Sequence, residues 1–324
     1  MELQFLLLAC LFFSIQFIFQ KCFQKNTKGG FGITVWNQFH IYIFMGLYLL
    51  LTTKTPFAVT GVSILYSLLY SVSGLVSTTG SLFAMRYGKV SAVTSFCLLG
   101  GMILPFFYGV WFLGEPVTLW KTLGILVLIA SLIPTTLEKD PSAESVARTK
   151  QDRVRYILFC LMTFCGNGMV SVFSKAHQIA DGAMTLSTGE VDTDGFVLLN
   201  ALVGLLIAFV VLLVRTIQTA AKGEKHPVRS VYYEIGKDPM TGKLFAVLLC
   251  LTAGYAVCNA LGNIFSLRCA VTMDSSIQFP LLSGVVIFMG AVFGWLFFHE
   301  RIRKPTLISL TLTVIGIGLF LIPA

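Results

Sequence analysis

The chain has 324 residues, of which 56% are hydrophobic and only 12% charged, and its mean hydropathy is +0.84. Soluble globular domains run at about 45–50% apolar and about 25% charged residues, so composition excludes a soluble enzyme. The formal net charge of +8 could suit nucleic acid, but the basic residues sit in short loops between apolar runs, where they set topology instead. Those runs are continuous rather than alternating, which argues against a β-barrel and for an all-α integral membrane protein. The eight cysteines lie in or at the ends of apolar stretches with no CxxC pair. They read as small apolar packers rather than as metal ligands or a disulfide framework. The N-terminus has no basic segment and no small-residue cleavage site after it, so it reads as the start of a mature helix.

Cutting at charge clusters and Pro/Gly breaks predicts ten membrane spans, at residues 3–23, 33–53, 61–87, 90–113, 119–137, 154–175, 195–216, 244–268, 271–298 and 305–322. Three connections are longer: a charged linker at 138–153, an acidic loop at 176–194 and a mixed basic loop at 217–243. Odd-numbered loops hold 19 of the 23 Lys and Arg, and even-numbered loops hold Lys54, Lys121, Lys175 and Arg268. The positive-inside rule then places the odd loops in the cytoplasm and both termini outside a cell membrane.

The chain repeats itself. Span three ends Gly80-Ser-Leu-Phe-Ala-Met-Arg86 and span eight ends Gly262-Asn-Ile-Phe-Ser-Leu-Arg268, 182 residues on. Span one ends Phe19-Gln-Lys21 and span six Phe173-Ser-Lys175. Span four closes on Gly114-Glu115 and span nine on His299-Glu300, 185 residues on. Three landmarks in one order imply a duplication of five helices, residues 1–137 and 154–324, joined by the 138–153 linker. Because five is odd, the second copy is inverted, as in secondary transporters whose repeats exchange two access states. Gly100, Gly101 and Pro105 in span four, with Pro280, Ser283 and Gly284 in span nine, put helix-weakening residues in equivalent helices.

With those landmarks the chain resembles the EamA-like branch of the drug/metabolite transporter superfamily. The Lys closing the first helix of each half and the Glu at the end of the fourth carry the likeness, best over residues 88–134 with Leu113-Gly114-Glu115 and Gly124. The resemblance implies ten helices as two inverted five-helix repeats and the import or export of a metabolite.

Ionisable groups are costly inside a bilayer, by about 2.5–3.5 kcal/mol on insertion scales, and only His40 reads as embedded. The first span has Ser14 and Gln16 where a proton-coupled multidrug exporter places a carboxylate, which argues against export of lipophilic cations. The interior is instead neutral and polar. Gln16, Tyr70, Ser77, Ser95, Asn167, Ser171, Tyr255, Asn259, Asn263 and Gln278 are the candidate substrate-binding residues, with hydrogen-bonded glue between helices as the competing reading. Asn37 and Asn200, nearer helix starts, read as caps or bridges. Lys21 and Lys175 read either as snorkelling anchors or as contacts to an anionic cargo, and His40 as a packer or proton relay. Glu115 and Glu300 are expected to stabilise the N-termini of the last helix of each half.

The sequence thus predicts a secondary transporter for a small polar organic metabolite, an amino acid or derivative foremost, working as a monomer or homodimer in contact with membrane lipid. No metal, cofactor or nucleic acid is expected. A membrane enzyme or lipid-carrier flippase acting on an amphipathic substrate is the alternative, but no paired acids, histidine cluster or nucleophile with a base lies within the spans.

Overall fold

The computed structural model describes residues 2–27, 31–53, 58–84, 87, 90–137, 150–221, 223, 242–299 and 304–322. Among them are ten helices: α1 (Glu2–Lys25), α2 (Phe31–Thr52), α3 (Gly61–Ala84), α4 (Val90–Phe112), α5 (Leu119–Leu137), α6 (Lys150–Gln178), α7 (Thr193–Ala221), α8 (Gly242–Thr272), α9 (Ser275–Phe298) and α10 (Lys304–Phe320). All but α5 and α10 are long and apolar enough to cross a membrane; those two are apolar but shorter, at Leu119–Pro134 and Lys304–Phe320. The molecule is therefore an all-helical, multi-pass membrane protein. Leu7, Leu51, Leu206 and Phe297 stay exposed on its helices, as expected where lipid rather than water is the solvent.

The chain divides into two compact units. The first comprises Met1–Leu11, Val72–Asp181 and Phe265–Ala324, and the second Phe12–Ser71 and Gly182–Ile264. Each draws on both halves of the sequence. The linker at 138–149, most of the 217–243 loop, Lys54, Arg86 and Glu300 lie outside the described residues.

The first unit is built on close helix approach. A Cβ on Gly100 of α4 would fall on the Phe164 backbone carbonyl of α6, and one on Gly168 of α6 would meet Leu104 and the Gly100 carbonyl. Gly166 faces the α3 backbone at Ser73 and Ser77 in the same way. Small residues are what allow this when water gives no push between helices. Ser77 Oγ donates to the Thr163 carbonyl at 3.3 Å and Ser81 Oγ to Thr163 Oγ1 at 3.3 Å, reinforcing the α3–α6 seam. Helices α5 and α10 pair through Gly124, which faces Phe320, and Gly316, which faces Leu128.

In the second unit α2 packs on α7, where Gly204 makes room for the Tyr42 ring. Helix α1 packs on α8, where Gly254 and Gly262 receive Phe19 and Phe13. Asn37 bridges as expected, accepting a 2.9 Å bond from Thr252 Oγ1. The acidic loop is folded: Met184 N donates to Ser63 Oγ at 2.9 Å, Thr185 and Val191 form a β-bridge, and Asp192 Oδ1 accepts from Gly195 N at 2.8 Å as the N-cap of α7. Burial pushes the Asp192 carboxyl above its ordinary value, against the pull of that Gly195 bond.

Two boundaries differ from the sequence prediction in an instructive way. Helix α6 runs past Lys175 to Gln178, and α8 runs past Arg268 to Thr272, so the break falls at Met273-Asp274. A charged residue was read as a helix end, but Lys175 is buried with 6% exposure and stays within its helix. None of the cysteines forms a disulfide; Cys10, Cys160, Cys258 and Cys269 are buried as packers while Cys165 and Cys250 are exposed.

The ends of α4 and α9 each carry a residue in the left-handed conformation. These are Gly114 (φ 68°) and His299 (φ 52°), at positions 185 residues apart. The Glu115 N–H closes on the Gly109 carbonyl at 3.0 Å, and the His299 N–H on the Gly294 carbonyl. The left-handed region costs a non-glycine residue about 1–2 kcal/mol, of which glycine's extra unfolded-state freedom cancels part. His299→Gly should therefore raise stability by up to about 1 kcal/mol, read as a higher thermal midpoint in detergent. Gly100→Ala should lower stability by about 1–3 kcal/mol through overpacking against a backbone that cannot yield; an unchanged midpoint would contradict the α4–α6 approach.

Candidate functional site

Two polar assemblies stand out, one in each unit. In the first unit, the break between α8 and α9 leaves helix-end carbonyls on one side and N–H groups on the other. Lys175 Nζ, reaching in from α6, donates to the carbonyls of Ala270 at 2.6 Å and Met273 at 2.8 Å. The Glu115 carboxylate accepts from Ser275 N at 2.7 Å and Ser276 N at 2.8 Å, one bond to each oxygen. Positive charge thus meets the negative end of α8, and negative charge the positive end of α9. Glu115 lies directly over Gly109, where a Cβ would collide with its carboxylate. Asp274, at the N-cap position, makes no capping bond. It pairs at 3.2 Å with Lys121, whose Nζ also donates to the Pro116 carbonyl at 2.9 Å. Two acids and two lysines therefore balance around one helix break.

This assembly changes the reading of two residues. Glu115 caps the start of α9, not the last helix of its half, because the tight turn at Gly114 folds it back. Lys175 is buried, and its ammonium is held on the Ala270 and Met273 carbonyls.

The second unit holds a chain of neutral groups. Tyr255, Asn259 and Asn263 lie four residues apart on one face of α8, near its middle. Tyr70 Oη of α3 donates to Asn263 Oδ1 at 3.2 Å. Asn263 Nδ2 donates to Asn259, to its carbonyl at 2.8 Å and its Oδ1 at 3.1 Å. Asn259 Nδ2 donates in turn to Gln16 Oε1 of α1 at 2.9 Å. Four predicted residues from three helices thereby form one directional seam. Tyr255 and Tyr42 lie within electrostatic range of Tyr70. Tyr42 was not singled out from sequence, since nothing in the periodicity of α2 distinguishes it; the facing Gly204 is the feature that seats its ring.

The remaining predicted residues belong to the first unit or bond locally. Asn167 Nδ2 donates to the Cys97 carbonyl at 2.8 Å, joining α6 to α4. Gln278 Nε2 donates to the Ser266 carbonyl at 2.7 Å, tying α9 to α8. Ser77 bonds α6 as described, Ser95 is buried and Ser171 half-buried. His40 Nδ1 bonds the Trp36 carbonyl of its own helix at 2.8 Å, its ring 4.1 Å from that indole and 5.4 Å from Phe39. Lys21 is half-buried in the last turns of α1. Among the described residues, no group of three His, Cys, Asp or Glu side chains is placed to hold a metal ion.

No protein-family model matches the chain, and no curated protein matches it. Among solved structures, 28 chains match. One of them, described as "Crystal structure of protein", is 11% identical with a TM-score of 0.64, over 98% of this chain and 95% of that one. The helical arrangement thus exists in solved proteins over nearly the whole chain, and at this identity the likeness is one of fold alone.

Removing one member of a charge network whose lysines are buried strands its partners. Lys175→Met should cost roughly 3–5 kcal/mol of stability, and Lys175→Met with Glu115→Gln should cost less than the two single changes together. Thermal midpoints of the three variants measure this coupling, and strictly additive losses would dissolve the network.

Proposed function

We propose that the chain is a secondary transporter that moves a small polar organic metabolite across the cell membrane by alternating access between two inverted five-helix repeats. The observation that carries this reading is the neutral seam from Tyr70 through Asn263 and Asn259 to Gln16. A connected polar chain in the middle of apolar helices is costly to bury and suits a solute that must be bound and released there. The duplicated sequence landmarks, and the shared left-handed closure at Gly114 and His299, support the pairing of halves that alternating access needs. On this reading all ten helices cross the bilayer, α5 and α10 included, and the loop charges put both termini outside. The resemblance to EamA-like transporters points the same way. No cofactor is required, and the charged α8–α9 corner serves to hold a helix break rather than to meet the cargo.

Purified protein reconstituted into vesicles should exchange a labelled solute across the bilayer in counterflow. Asn259→Leu should reduce that exchange by at least about tenfold, because it breaks the seam at two bonds, while leaving the protein folded and inserted. Asn167→Leu should instead lower the thermal midpoint with exchange largely retained, since its amide ties α6 to α4. Failure of wild-type vesicles to exchange any amino acid, sugar, nucleoside or organic acid would overturn the transporter reading, and normal exchange by Asn259→Leu would overturn the site.

A further inference from the structure

The seam has more hydrogen-bonding capacity than it uses, and none of it is charged. Gln16 is 7% exposed, and its Oε1 is occupied by Asn259. Its Nε2 makes no hydrogen bond to any described residue, although an amide nitrogen carries two donors. It is also absent from the fully enclosed polar atoms without partners, so it faces accessible space. The hydroxyls of Tyr42 and Tyr255 likewise make no hydrogen bond to described residues and face accessible space, although both side chains are largely enclosed. Tyr70 donates to Asn263 and keeps its oxygen lone pairs. Four side chains from α1, α2, α3 and α8 therefore offer donors and acceptors around one seam.

Every bond within the seam joins two neutral groups, and the titratable groups that act on Tyr70 are Tyr42 and Tyr255, not a carboxylate or an ammonium. The charges at the α8–α9 break are committed: Lys175 holds the α8 carbonyls, Glu115 the α9 amides, and Lys121 pairs with Asp274. An ion entering the seam would give up its hydration without meeting a counter-charge, whereas a neutral hydroxyl or amide exchanges water for tyrosine and glutamine on nearly equal terms. Tyrosine rings also offer apolar faces to the carbon skeleton of such a solute.

We infer that the seam of Gln16, Tyr42, Tyr70, Tyr255, Asn259 and Asn263 binds an uncharged, hydroxyl- or amide-bearing solute, and discriminates against carboxylates, ammonium groups and zwitterions. This rests on the transporter reading and narrows its cargo away from the free amino acids expected from sequence.

The test is a thermal-unfolding screen of the full-length protein in detergent with probes matched in shape and differing in charge. Glucose, inositol, uridine and nicotinamide would be set against glucuronate, glucosamine, uridine monophosphate and glutamine. At a concentration about 100-fold above its dissociation constant, a true ligand shifts the midpoint visibly. The expected result is a shift from one or more neutral probes, and a smaller or absent shift from the charged counterpart. Gln16→Glu keeps the acceptor that Asn259 uses but replaces the free amide donor with a charge. It should require about tenfold more of the neutral probe for the same shift, and a retained cooperative unfolding transition, at a lower midpoint, would show that the variant folds. A larger shift from glucuronate, glucosamine, uridine monophosphate or glutamine than from its neutral partner would overturn the assignment, as would no shift from any neutral probe. If a charged probe acts and its effect is lost in Asn259→Leu, the neutral class fails while the transport site stands. If its effect survives Asn259→Leu, the site itself fails.

Discussion

Where one helix ends and the next begins, carbonyls are left on one side of the break and N–H groups on the other, and each needs a partner. The rest of the first unit is arranged around that constraint at Met273-Asp274. Lys175 must come from α6 to reach the Ala270 and Met273 carbonyls, which requires α6 to stay helical to Gln178. Glu115 must come from the end of α4 to reach Ser275 and Ser276. That in turn requires a left-handed turn at Gly114 to reverse the chain and a bare glycine at 109 for the carboxylate to lie against. Each of these local features looks idiosyncratic alone and becomes necessary once the helix break has to be satisfied.

The glycines follow a second constraint. Water does not drive helix against helix inside a bilayer, so association depends on backbone approach and on hydrogen bonds. Gly100, Gly166 and Gly168 let α3, α4 and α6 come within backbone contact, and Ser77, Thr163 and Asn167 then lie close enough to bond across. The same small residue does different work in the second unit, where Gly204, Gly254 and Gly262 each accept an aromatic ring rather than a backbone.

Helix number and approximate position were legible because apolar runs of this length have one physical solution in lipid. Gly114 and His299 stood out as landmarks, the histidine as a departure from the pattern. Both adopt the left-handed conformation, so histidine takes at 299 a backbone geometry that glycine takes at 114. The amide seam was legible in part, because Tyr255, Asn259 and Asn263 repeat at helical spacing along one face. Its partners were not, since Gln16 and Tyr70 lie 243 and 193 residues away from theirs and no local period encodes such contacts. The helix break was misplaced for a related reason. A lone Arg268 looks like a helix end in one dimension, while the signal that fixes the break is a lysine 98 residues earlier.

These two polar assemblies use opposite strategies, and the contrast bears on function. The corner neutralises full charges against helix ends and against each other, and its buried ammonium and carboxylates are already occupied. Such a site is expensive to open and suits a fixed point of the structure. The seam uses only amides and hydroxyls, bonded in sequence from Tyr70 to Gln16, and keeps donors at Gln16, Tyr42 and Tyr255 uncommitted. Neutral hydrogen bonds exchange with water or solute at little net change in free energy, so on the transporter reading we propose they can be made and broken in every cycle. A protein that separates its strong interactions from its reversible ones in this way can hold its helices in place while its binding groups turn over.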